Sequence, residues 1–437
     1  MKARSHRPSG SCRIERLQPL PTSAYIIGVS CTAFGKLPDK SFKDLTREAY
    51  EAALADAGLE SGTAIAAAWF SNCGMHTWGQ ANIRGQVCLS PLVQSGRFPE
   101  RVPLINVEGA CASGSLALHG AWKDVLSGQS ALSLALGVEK TFHPEQPGKV
   151  AALFGEALDR MDPGVWEAYY AAAGAAVGKP FVTGPGRSPY MDTYAMQACW
   201  HMRTFGTTAE QIATAAANAH NMGALNALAQ YRFRTTVADV LADKMVSYPL
   251  TRAMCSPIGD GAAAALVCSE EFLRTLPAAT QHRAVRIAAQ ALSGGKYRRF
   301  DEPGLSRIAA DRAYRMAGIV PADIDLAEVH DATSFCELYQ AEMLRFCASG
   351  EGGAFVASGA TALGGALPMN ISGGLVSKGH PIGATGLSMI YELTQQLRGE
   401  AGERQVHGAR HGLAENGGGV IGFDEAVCAV TILEGNI

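Results

Sequence analysis

Apolar residues recur along this chain in two rhythms that alternate. Short apolar runs, Tyr25-Ile26-Ile27-Gly28-Val29, residues 65–72, Leu104-Ile105-Asn106-Val107 and residues 131–136, read as strands bounded by glycine or polar positions. Between them a helical recurrence predicts one helix over 42–57, stopped by Gly58. It predicts another in which Leu116, Ala117, Ala121, Trp122, Val125 and Leu126 share a face before Gly128. This β-α-β alternation predicts a mostly parallel sheet with helices on its faces, an α/β protein.

The alternation lapses over about 141–250, a stretch rich in Pro, Gly and aromatics, in which Thr208-Ala209-Glu210-Gln211 reads as a capping box. Trp166, Tyr169, Tyr170, Phe181, Tyr190 and Tyr194 fit either a layer over the active face or a small core of the insertion's own. The first half resumes with a loop at Ser256 that feeds a core strand ending near Val267. A second alternating half follows: a strand from Val285 to about Ala289, a helix around 312–317, a strand over 326–329 and a glycine-rich bend. Next come a helix with Leu387, Ile390, Leu393 and Leu397 on one face and a last strand over 426–433. Asn106 to Gly128 and Asn370 to Gly399 share an order of Asn, tight bend, helix and terminating Gly, which points to internal duplication. The boundaries expected are a flexible arm over 1–22, a first half over 23–275 with its inserted domain, and a second half over 280–437.

At 437 residues, the chain is long enough for more than one core, and 47% hydrophobic content supplies the material. A formal net charge of -3 leaves no broad basic face, so nucleic acid is not an expected partner. No apolar run approaches a membrane span. The basic, proline-containing start has no apolar segment of a secretory signal. The eleven cysteines contain no CxxC pair, which argues against structural zinc and, with the missing signal, for a reducing cytoplasmic setting. No metal site is expected.

Candidate chemistry centres on Cys111 in Val107-Glu108-Gly109-Ala110-Cys111-Ala112-Ser113-Gly114-Ser115. A thiol at a strand-to-helix bend is expected to feel the helix N-terminus, which lowers its pKa and favours thiolate. Small neighbours admit a substrate and leave N–H groups for an oxyanion. His380 in Gly379-His380-Pro381-Ile382-Gly383-Ala384-Thr385-Gly386 is its candidate base. His76, His119, His143 and His201 lack comparable company and read as surface or packing residues.

These motifs, with Ser256 to Ala264, His330-Asp331-Ala332-Thr333, Asn370-Ile371-Ser372-Gly373-Gly374 and Asn416-Gly417-Gly418-Gly419, occur in an order that resembles the thiolase superfamily, particularly its sterol-carrier-protein-type and archaeal acetoacetyl-CoA members. The resemblance implies a thiolase-like fold: two duplicated β-α-β halves in an α-β-α-β-α core, with an inserted loop domain, assembled as a homodimer or tetramer. It implies a CoA-dependent acyltransferase in which Cys111 carries the acyl group and His380 takes its proton. His330 would polarise the thioester carbonyl, and the N–H groups of Cys111 and of an Asn416-Gly417-Gly418 turn would hold the oxyanion. Coenzyme A enters as substrate, with no bound cofactor, and such relatives commonly work with a small zinc-ribbon/OB-fold partner.

The chain departs from the family where a second cysteine is expected, having Glu415, or its neighbour depending on alignment, and Ala332 at those places. His330, Glu415 and Cys336 are the candidates for the proton shuttle. A decarboxylating condensing enzyme of the same superfamily is the first alternative, against which Pro381 stands where that class has Thr. A non-catalytic scaffold subunit is another. A retro-aldolase is disfavoured by Cys111 and a papain-like hydrolase by the β-α-β halves. The aromatic insertion with Arg187 or Arg203 suits a bulky aromatic or carboxylated acyl chain, such as that of benzoylsuccinyl-CoA.

Overall fold

The computed structural model describes residues 23–146, 148–182, 184 and 188–435; the arm expected over 1–22 and Arg187 lie outside them. Strand β1 (Ala24–Cys31) leads to α1 (Phe42–Asp56), which starts on a capping box. Ser41 Oγ accepts from the Asp44 N–H, and the Asp44 carboxylate accepts from the Ser41 N–H. Then follow β2 (Ala67–Ser71), α2 (Arg84–Gln94), β3 (Leu104–Val107), α3 (Ser113–Leu126) and β4 (Leu132–Glu139). The insertion holds α4 (Gly148–Gly155), α5 (Pro163–Ala176), α6 (Pro189–Phe205), α7 (Ala209–Gly223), α8 (Val237–Ala242) and a hairpin of β5 (Met245–Ser247) with β6 (Leu250–Thr251). The expected box at Thr208 opens α7. Strand β7 (Gly261–Ser269) ends the first half, and α9 (Glu270–Leu273) and α10 (Ala278–Arg283) connect it to the second. That half runs β8 (Val285–Gly294), α11 (Leu305–Ala317), β9 (Leu326–Val329), α12 (Ser334–Met343), α13 (Gly352–Ala357), α14 (Thr385–Leu397), β10 (His411–Gly418) and β11 (Val427–Glu434).

The nine long strands order as β3-β2-β4-β7-β1-β8-β11-β10-β9. Reading inward from either end, the pairings repeat: β2 and β4 are parallel as are β9 and β10, and the next two pairs in each half are antiparallel. The counterpart of β3 survives only as a parallel bridge between Ala327 and Met369. The sheet is therefore mixed rather than mostly parallel. The chain leaves β4 at Glu139 and, after the insertion, re-enters opposite it at Gly261, so β7 must run back along β4.

Strand alternation separates the layers. Ala264 and Leu266 face α1, packing with Leu45, Ala49 and Ala53. Ala263, Ala265 and Val267 face the other way, onto α3 and α14, whose Leu118, Ala121, Leu387 and Ile390 share a core with Ile287, Ala414 and Leu433 of the second half. Beyond that half, Ala309 and Ala313 of α11 pack on Ala291 and Val430. The result is the expected α-β-α-β-α arrangement. The central helices meet at their N-termini: a Cβ on Gly114 would lie 3.0 Å from the Leu387 nitrogen, and one on Gly386 would lie 2.3 Å from Ser115 Oγ.

Candidate active site

Cys111 and His380 are 269 residues apart, yet Cys111 Sγ lies 3.2 Å from His380 Nε2. Each lies in the bend that leads into one of the two central helices, so the close meeting of α3 with α14 brings thiol and imidazole together. Ala110 adopts a left-handed backbone, φ 47°, which turns Cys111 out of the strand direction. Several bonds hold this bend. Ser113 Oγ accepts from the Gly109 N–H at 2.9 Å and donates to the Ala110 carbonyl at 2.6 Å, and the Glu108 carboxylate accepts from the Ala110 N–H at 2.6 Å.

The hydrogen bonds around His380 assign its tautomer. Thr385 Oγ1 donates to the Pro381 carbonyl and lies 2.7 Å from Nδ1, so it accepts the Nδ1 proton. Nε2 is then left with its lone pair toward the thiol, the orientation of a general base. Burial, then the neighbouring His330, holds His380 well below the ordinary histidine pKa. His330 is buried, with neither ring nitrogen bonded to any described residue, and burial brings its pKa to about 4. Both rings are neutral at pH 7, their centroids 5.4 Å apart.

Cys111 differs from the sequence expectation. It is half-buried and lines a cavity; burial, then the Glu425 charge, pushes its thiol up to about 12. It sits inside a short 3-10 turn, Ala110–Ala112, that leads into α3, and dehydration outweighs the helix end. The group is therefore a thiol at neutral pH, with the His380 Nε2 lone pair 3.2 Å away to accept its proton.

The cavity, of about 830 Å³, is lined by Cys111, His330, Ala332 and His380 at its inner end and by Phe154, Tyr190, Tyr194 and Tyr297 along its wall. The insertion thus serves both expected purposes. Tyr190 and Tyr194 face the cavity, whereas Trp166 and Tyr170 form a core with Leu158 and Phe423. Arg203 is exposed and donates to the Ala176 carbonyl, away from the cavity; the arginine that lines it is Arg84. His76, expected on the surface or in packing, also lines it, paired with Glu156.

Glu415 and Cys336 do not reach the cavity wall. Glu415 accepts from the His330 backbone N–H at 3.0 Å and from the Cys428 thiol at 3.2 Å, so it positions His330 from the sheet side. Cys336 sits 3.5 Å from Thr333 Oγ1 inside the start of α12. Asn416, Gly417 and Gly418 belong to β10 and do not form the expected turn, because each pairs with a residue of β11. Asn416 accepts from Ser115 Oγ at 2.9 Å, tying β10 to α3. A Cβ on Gly418 would fall 2.1 Å from the Gly109 carbonyl and 2.8 Å from the Cys111 nitrogen. The chain turns at Gly419, φ 70°, and that glycine lines the cavity.

Sequence reading missed Glu139 and Glu425. The buried Glu139 carboxyl accepts from the N–H groups of Cys73, Gly74 and Gly383 and from the Asn72 amide, clamping the Cys73 loop to the loop of His380. Its place at the end of an apolar strand was the available signal. Glu425 is half-buried and packs over Gly417; burial and the charge of Glu415 push it up.

The model described as Thiolase, N-terminal domain matches residues 24–163, and that described as Thiolase C-terminal domain-like matches 304–432. An acetyl-CoA acetyltransferase of Methanothermobacter thermautotrophicus is 38% identical over 402 residues, 91% of this chain and 96% of the relative. The chain belongs to the thiolase family. Family membership makes this thiolase an enzyme of the acyltransferase class. Human sterol carrier protein 2 is 34% identical, covering 92% of this chain and 72% of the relative. The benzoylsuccinyl-CoA thiolase subunit BbsB of Thauera aromatica is 30% identical, covering 89% and 92%. Among solved structures, the Ltp2-ChsH2(DUF35) aldolase superposes with a TM-score of 0.72 at 24% identity, covering 95% of this chain and 98% of that one. Human mitochondrial 3-ketoacyl-CoA thiolase does so at 0.66 and 18%, covering 96% and 100%. Both likenesses concern the fold.

Proposed function

We propose that this thiolase cleaves or forms 3-ketoacyl-CoA through an acyl group carried on Cys111. The observation that carries the reading is the 3.2 Å contact between Cys111 Sγ and the unprotonated Nε2 of His380 at the inner end of the cavity. In the cleavage direction the Cys111 thiol passes its proton to His380 as sulfur attacks the 3-keto carbon. The N–H groups of Cys111 and Gly419 hold the oxyanion. The C2–C3 bond then breaks, leaving the acyl group on sulfur and the electron pair on the enolate of the shorter acyl-CoA. His330, neutral and without another partner among the described residues, donates to the enolate oxygen. The His380 imidazolium, strongly acidic because it is buried, returns the proton to the enolate carbon. Coenzyme A next gives its thiol proton to His380, attacks the acyl-Cys111 thioester and leaves with the acyl group, and His380 re-protonates Cys111. One imidazole makes every transfer, which accounts for a site with Ala332 and Glu415 where a second cysteine is expected.

Mass spectrometry after mixing with a 3-ketoacyl-CoA tests this reading. An acyl adduct on Cys111, absent from Cys111→Ser, is the expected result; full thiolytic activity in Cys111→Ser overturns it, as does a lack of any adduct in the wild type. His330→Ala is expected to lower the cleavage rate ~100-fold or more, the loss typical of an oxyanion donor.

The aromatic wall of Phe154, Tyr190, Tyr194 and Tyr297 supports a bulky aromatic or dicarboxylic acyl chain, with Arg84 as the nearby cation. The name of the Thauera aromatica relative supports benzoylsuccinyl-CoA as the compound to try, and a higher kcat/KM for acetoacetyl-CoA rejects it. That relative is named as a subunit, which supports a search for a small zinc-ribbon/OB-fold partner, and for the homo-oligomeric state, by co-purification.

A further inference from the structure

The donor atoms of Cys111, His330 and His380 all lie within 4.8 Å of one another. We propose that these three side chains form a resting-state site for one zinc ion, which caps the nucleophile reversibly until it is displaced. Zinc takes thiolate at about 2.3 Å and imidazole at about 2.0–2.1 Å, so a tetrahedron places its ligand atoms roughly 3.3–3.6 Å apart. The Cys111–His380 pair, at 3.2 Å, already has nearly that spacing, and His330 closes the set with a shift of its ring.

Three further observations favour the ion. Both nitrogens of the buried His330 lack a bonded partner among the described residues, and an orphaned buried imidazole is costly unless a ligand engages it. The Thr385 hydroxyl fixes His380 with its Nε2 lone pair inward, the orienting role that an outer hydrogen bond plays for a metal-binding histidine. The cavity supplies the fourth, open position for water. Binding exchanges one proton: the Cys111 S–H bond breaks, a sulfur–zinc bond forms, and the proton leaves to solvent through the cavity. The ligands sit at residues 111, 330 and 380, so no local sequence spacing announces the site.

The test needs no acyl substrate and is therefore independent of the thiolase reading. Protein stripped with EDTA is titrated with zinc, and alkylation of Cys111 by iodoacetamide is followed by mass spectrometry. One equivalent of zinc is expected to slow alkylation at least tenfold, with EDTA restoring the rate. The wild type should retain one zinc per chain more than Cys111→Ser, and zinc should give His330→Gln little protection. Cobalt(II) should give a thiolate charge-transfer band that Cys111→Ser lacks. Alkylation indifferent to zinc, or equal zinc retention by the wild type and the near-isosteric Cys111→Ser, would overturn the proposal.

Discussion

Glu425 and His380 act on the same sulfur in opposite senses. His380 offers a lone pair to the Cys111 proton, while the ionised Glu425 carboxylate discourages the thiolate. Burial and the Glu415 charge push Glu425 up to about 8, so below that pH it is largely neutral and its effect is small. The sign follows. Glu425→Gln should alkylate at Cys111 at the wild-type rate near pH 6.5 and severalfold faster near pH 9, where the wild type carries the extra negative charge. Rates that coincide throughout that range would show that Glu425 does not control the thiol. Thr385→Val provides a second test, because it leaves Nδ1 of His380 without its acceptor and releases the tautomer. Cys111 alkylation at pH 7 should fall by ~10-fold or more, a part of the ~10²–10⁴-fold that general-base assistance supplies, and an unchanged rate would reject this role.

At the level of elements, the site depends on how closely the end of β10 approaches the turn before α3. Gly418 has no side chain where a Cβ would strike the Gly109 carbonyl at 2.1 Å. Gly418→Ala must therefore push β10 and the nucleophile turn apart, at a cost of ~1–3 kcal/mol typical of overpacking. A lowered Tm together with slowed Cys111 alkylation is expected, and an unchanged Tm would mean that the turn yields freely. On the other side of the site, the loop before His380 begins with a π-helical turn, Gly374–Lys378, whose Leu375 N–H donates to the Asp331 carboxylate at 2.6 Å. Asp331 directly follows His330, so one short strand end orients both histidines.

For the whole molecule, buried carboxyls set the response to alkali. Burial raises Glu337 from 4.5 to about 8 and Glu139 from 4.5 to about 7, the latter despite its N–H donors. A carboxyl whose folded pKa is raised stabilises the fold fully below its unfolded value and loses that contribution as pH rises through the folded value. His330, lowered to about 4, contributes fully above about 6.5 and loses its share only toward acid. Between pH 6.5 and 8.5 the carboxyls govern, so Tm should fall across that window, and Glu337→Gln should flatten the decline. A Tm that rises over the same range would contradict the assignment.

The duplicated strand and helix pattern was legible because local hydrophobic periodicity survives in both halves: residues 104–107 and 326–329 are strands as expected, and the helix before Gly128 ends there. The thiol and histidines were legible as well, since small residues around Cys111 and glycines around His380 mark tight bends. Strand direction, the place of the Asn416-Gly417-Gly418 segment, the roles of Glu139 and Glu425 and the protonation of Cys111 were not. Each is decided by groups distant in the chain: β7 returning along β4, β11 pairing with three residues that resemble a turn, and a dehydrated pocket overriding a helix end. Chain-local pattern determined which residues form elements and which bear reactive groups. Only tertiary packing decided the environment of those groups, because burial and Coulomb interaction depend on distance in space and not on separation along the chain.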